Sequence, residues 1–127
     1  MKLSNILFFA LVAVLGFIVI AGAPMLTGHS FSVRMGVKHF SWSSAIGLVL
    51  LGFFAGCFKP GMPWLWAAAS VCILPVLAIV EMFQDPTSHN LWPLEFGFYG
   101  FMSLLTAAGA YFGGLTILAA RRSTQKR

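Results

Sequence analysis

Between two long apolar runs the chain reads Glu81-Met82-Phe83-Gln84-Asp85-Pro86-Thr87-Ser88-His89-Asn90-Leu91-Trp92-Pro93-Leu94-Glu95. This stretch holds all three acidic residues of the chain and one of its three histidines. An island of charge between uncharged runs is the pattern of a chain that leaves a hydrocarbon layer and re-enters it. Composition agrees: 9% of the residues are charged and 59% hydrophobic, whereas soluble domains carry about 25% charged residues. The 127 residues suit one membrane domain, residues 1–127.

Upstream of the island, an apolar run over about 64–83 predicts a helix, which Pro75 should bend by removing one backbone hydrogen bond. It is reached through Lys59-Pro60-Gly61-Met62-Pro63, a turn so short that the runs on either side must be antiparallel neighbours. The run before it, 42–58, predicts a second helix. Its 17 residues span about 25 Å, a little less than the ~30 Å of a hydrocarbon core. Gly52 and Gly56 form a small-xxx-small pair that permits close backbone approach.

Lys2 precedes an uncharged run from Leu3 to Ala23, which Pro24 should end. Ala21-Gly22-Ala23 imitates a secretory cleavage site. The run exceeds the roughly 7–15 residues of a signal core, and a proline directly after the site hinders processing, so it is expected to stay as the first helix. Residues 24–41 form an outer loop. There Phe31, Val33, Met35 and Val37 alternate with Ser32, Arg34, Gly36 and Lys38, which predicts a short strand or extended segment on the membrane surface.

Downstream of the island and of a second outer loop, 84–92, a fourth helix is expected over about 93–120. Pro93 suits its first turn, and Glu95 there is stabilised by the helix dipole. The run is longer than a crossing needs, so this helix should tilt or protrude. Gly109 and Gly113 make a second small-xxx-small pair. The basic tail 121–127 is expected to fray. The fold expected is thus an all-α integral membrane protein, an antiparallel four-helix transmembrane bundle.

Four crossings put both termini on one side. Lys2, Lys59, Arg121, Arg122, Lys126 and Arg127 then lie together, against Arg34 and Lys38 on the other side. The positive-inside rule makes the richer side cytoplasmic. Trp42, Trp64, Trp66 and Trp92 each fall near a helix start, at the depth of an aromatic belt. The layout resembles that of many small four-span bacterial membrane proteins, which implies an inner-membrane location and no particular function.

Glu81, Asp85, His89 and Glu95 are the candidate polar cluster, with Arg34 and Lys38 as the cations expected on the same side. Glu81 and Asp85, four apart near a helix C-terminus, repel each other and the dipole. Ion pairs to Arg34 and Lys38 would offset this and tie the two outer loops into a cap. The four acidic and imidazole groups could alternatively hold a metal, although Pro86 interrupts any regular spacing and no metal ligand set is assigned.

Other chemistry finds little support. No Asp, Glu, Lys, Arg or His lies deep in any run, which weighs against a proton-coupled transporter. Haem would need buried histidines and no cofactor is expected. Cys57 and Cys72 have neither redox-pair nor zinc spacing, and no serine-nucleophile motif occurs. Ser70, Ser103, Thr106 and Thr116 are read as hydroxyls bonded within or between helices. The basic residues sit at ends and turns, not on a helix face, so nucleic acid is not an expected partner. The expected partners are the lipid bilayer and another membrane protein or a second copy. The leading expectation is a non-enzymatic accessory or structural subunit. The alternatives are an oligomeric carrier of small apolar molecules and an outer-surface metal or sensing site over 81–95.

Overall fold

Inside hydrocarbon each backbone N–H must find a carbonyl within its own segment, so uncharged runs of this length become helices. The computed structural model describes residues 3–26, 42–84 and 92–125, and all of its regular structure there is helical. The elements are α1 (Leu3–Leu26), α2 (Trp42–Phe58), α3 (Pro63–Val71), α4 (Ile73–Gln84) and α5 (Trp92–Gln125). Three stretches are long and apolar enough to cross a membrane: Leu3–Gly22, the α3–α4 stretch Pro63–Gln84, and Pro93–Gln125. α2 is apolar but shorter, at 17 residues.

Contacts between side chains give each helix its direction. Lys59 reaches Ser4 and Asn5, whereas Gly47 faces Val19, so α1 and α2 are antiparallel. Gly16 lies on Ser70 and Phe8 on Trp66, so α1 and α3 are parallel. Pro63 and Trp64 lie beside Ala108 and Tyr111, and Ser70 meets Thr106, so α3 and α5 are antiparallel. α2 and α5 form the most extensive interface, and they are parallel: Gly52 and Gly56 face Thr106 and Ala110, while Gly109 and Gly113 face Val49 and Phe53. With α3 and α4 counted as one run, successive runs therefore alternate in direction.

The core is a stack along this seam. Ile20, Leu48, Leu74, Ala78, Tyr99 and Met102 fill the half nearer the acidic residues. Val12, Ala55, Trp66, Ala69 and Ala110 fill the half nearer Lys59. On α5 the inward residues are Glu95, Tyr99, Met102, Thr106, Ala110 and Gly113, spaced four and three apart, one face of a helix.

Three expectations need correction. Pro24 does not end α1, which runs on to Leu26. Proline's fixed φ is already helical, and what it withholds is one N–H, a loss the last turn absorbs. The third run is disturbed as Pro75 predicts, at Cys72 alone, where the torsions stay helical (φ −61°, ψ −24°) and the N–H bonds Ala69 O at 3.4 Å, a tightened turn. The cause is Pro75, whose ring clashes with the carbonyl four residues back, at Val71. The tail is helical to Gln125 and not frayed. No glycine or proline follows Gly114, and the Ser123 and Thr124 hydroxyls donate back to Ala120 O at 2.7 and 3.0 Å. Cations at a helix C-terminus favour the dipole. Finally, Trp66 is fully buried, while Trp42 and Trp64 are exposed. Its indole N–H donates to Lys59 O at 3.0 Å, which satisfies the ring's polar handle inside the bundle. The strand expected over 31–38 lies outside the described residues.

Candidate functional site

Polar groups meet at three levels of the bundle. At the acidic end, α4 closes with Glu81 half-buried in its last turn, and α5 opens with Glu95 in its first. Glu95 is only 7% exposed, because position 95 belongs to the inward face of α5. One turn along that face is Tyr99, 3% exposed, with both carboxylates bearing electrostatically on it. The Tyr99 hydroxyl has no hydrogen-bond partner, among the described residues the one buried side-chain group in that state. Ser44, a turn before Leu48 on α2, is also buried here. Asp85, His89, Arg34 and Lys38 lie outside the described residues, so the structure brings together Glu81 and Glu95 of the six cluster residues. Among the described residues no three His, Cys, Asp or Glu side chains converge as a metal would need.

At mid-height the Ser70 hydroxyl donates to Ala67 O at 2.8 Å and shares a 3.0 Å hydrogen bond with Thr106 Oγ1. Both side chains are fully buried. The glycines leave no gap around them. A Cβ on Gly52 would strike Thr106 O and come within 3.0 Å of Ala110 N, and one on Gly16 would meet Ser70 backbone at 2.7 Å. Ser103 and Thr116 bond back to Gly100 O and Gly113 O, each at 2.7 Å. Cys57 and Cys72 are unlinked and half-buried, with Cys57 Sγ 3.6 Å from Gly113 O.

At the other end the Lys59 ammonium is clamped. It donates to Asn5 Oδ1 at 2.6 Å, Ser4 Oγ at 3.0 Å and Ser4 O at 3.1 Å, and sits 5.2 Å from the centre of the Phe8 ring. Phe8 in turn meets Trp66 edge-on at 4.8 Å. Sequence reasoning took Lys59 as a topology marker and missed this pairing. The available signal was that Ser4 and Asn5 are the only side chains with hydrogen-bonding groups between Leu3 and Ala23. It also missed the inward turn of Glu95, which the spacing of 95, 99, 102 and 106 carries.

The arrangement is that of an all-helical chain with three stretches long and apolar enough to cross a membrane, in which the mid-height hydroxyls of Ser70 and Thr106 bond to each other and to backbone while the Tyr99 hydroxyl has no partner. No protein-family model matches the chain, and neither does any curated protein or solved structure.

Proposed function

We propose that the chain crosses a cell membrane four times, with both termini and the 59–63 turn in the cytoplasm, and serves as a non-enzymatic accessory or structural subunit. Three stretches are long and apolar enough to span, and the packing of the shorter apolar α2 along α5 in the same direction supports a fourth crossing. The charge count, six basic residues at one end against two beyond the other, supports the orientation. An inner-membrane location in a bacterium fits this layout.

The observation that carries the subunit reading is the filled axis. Leu48, Trp66, Ser70, Leu74, Met102 and Thr106 are fully buried at its centre, and backbone touches backbone between α2 and α5. A carrier needs a lumen lined by free hydroxyls at mid-height; here Ser70 and Thr106 spend theirs on each other and on Ala67. In this reading the bundle presents the 24–41 and 84–92 loops, with Asp85, His89, Arg34 and Lys38 beside Glu81, as its contact surface at the outer face, above the inward-turned Glu95. A tagged chain purified in mild detergent tests this. One stoichiometric membrane-protein partner is expected. Recovery of a homo-oligomer alone would favour the carrier of apolar molecules instead.

A further inference from the structure

The face of α5 opposite the glycine seam is a second feature with its own chemistry. Leu104, Ala108, Tyr111, Leu115, Leu118 and Arg122 recur at intervals of four and three, so they form one stripe along the helix. All six are exposed. Beside the first half of this stripe stands the start of α3, and the two helices enclose a groove of about 430 Å³. Pro63 and Trp64 make one wall, Tyr111 and Phe112 the other, and Ala107 and Ala108 the floor. That volume falls within the roughly 300–1,000 Å³ of small-molecule sites. The lining is almost wholly apolar, so what fills it is hydrocarbon.

The stripe does not stop where the bundle does. Gly114 lies against Pro60 of the α2–α3 turn, with a Cβ there 3.3 Å from that ring. Residues 115–125 therefore project beyond the turn by about 16 Å. The projecting part is apolar at Leu115 and Leu118 and turns cationic at Arg121 and Arg122. Lys59, next to Pro60 in that turn, already has its ammonium engaged by Ser4 and Asn5. A hydrocarbon chain carrying an anion at one end matches this layout along its length. A second copy of α5 matches less well, because parallel two-fold pairing along the stripe would set Arg122 against Arg122.

We propose that the α3–α5 groove and the basic end of α5 form a binding site for one anionic phospholipid, its acyl chain over Ala107 and Ala108 and its phosphate at Arg121 and Arg122. The site rests on α5 lying in the bilayer as proposed above, but not on the subunit role. A basic residue near an anionic headgroup is worth about fivefold in affinity, so two give about thirtyfold over a zwitterionic lipid at low salt.

Native mass spectrometry of the full chain, titrated with dioleoyl phosphatidylglycerol or dioleoyl phosphatidylcholine, tests it. One phosphatidylglycerol per chain is expected, held about thirtyfold more tightly than phosphatidylcholine. Arg121→Gln with Arg122→Gln should erase that preference and leave helicity unchanged, since both side chains are exposed. Ala108→Trp should fill the groove and weaken both lipids together. Equal retention of the two lipids by the unaltered chain would overturn the proposal, as would retention unaffected by Ala108→Trp or a dimer that forms through α5 and excludes lipid. A failed search for a protein partner would leave this result standing, so the two readings fail separately.

Discussion

Adding one methyl group at Gly56 should loosen the whole bundle. A Cβ there would strike Ala110 O and lie 2.7 and 2.8 Å from Ala110 C and Cα. All three are backbone atoms of a helix, so no rotamer change relieves the clash. Ordinary carbon contacts of about 3.5–4.0 Å return only if α2 and α5 part by about 1 Å. A gap of that size forfeits a quarter to a half of each neighbouring dispersion contact, and overpacking of this kind costs about 1–3 kcal/mol. Alanine's better helix propensity returns up to about 1 kcal/mol. Gly100 provides the control, since a Cβ there meets nothing within 4 Å. Gly56→Ala should therefore be less stable than Gly100→Ala by about 2 kcal/mol, roughly thirtyfold in the unfolding equilibrium. Reversible unfolding in mixed micelles, followed by circular dichroism, measures the difference. Equal stability of the two variants would refute the backbone-contact seam.

Tyr99→Phe should leave stability unchanged or raise it by up to about 1–3 kcal/mol, because it removes a buried hydroxyl with no partner; a marked loss in the same unfolding assay would mean the hydroxyl is bonded. Lys59→Met should cost about 1–3 kcal/mol, through charge-assisted bonds to Ser4 and Asn5, and a double-mutant cycle with Asn5→Ala should show a coupling above about 0.5 kcal/mol. The same cycle on Ser70→Ala and Thr106→Val should give a smaller term, about 0.6 kcal/mol, as is usual for hydrogen bonds between helices in membranes. In a Trp92→Phe chain an aqueous quencher should reach Trp42 and Trp64 in detergent and spare Trp66, so adding Trp66→Phe should remove the unquenched emission.

Much of this was legible because the constraints are local. Uncharged runs fixed the helices, and the two glycine pairs announced which faces could touch backbone to backbone. Pro75 announced a disturbance, and it falls at Cys72 because the obstructed carbonyl, that of Val71, is four residues upstream of the proline. What stayed hidden depends on register between helices. Whether Glu95 faces lipid, water or core is decided by how α5 is rotated against α2 and α4, and only the stripe 95–99–102–106 hints at the answer. Trp66 looked like a belt residue for the same reason: Trp64, two residues away, is exposed, and about half a turn of the helix separates the two roles. Lys59 could not be paired with Ser4 and Asn5 without knowing that α1 begins beside the α2–α3 turn. The Arg121–Arg122 pair looked like a stop signal, yet to a helix backbone it is a continuation.

The central claim is that four crossings hold the carboxylates and the terminal arginines on opposite sides of the membrane. Single cysteines at Ser88 and Ser123, in a chain with Cys57 and Cys72 replaced by alanine, test it with a membrane-impermeant maleimide. In intact cells the Ser88→Cys chain should label at once, and the Ser123→Cys chain only after permeabilisation. Labelling of both from outside, or of Ser123→Cys alone, would contradict the account.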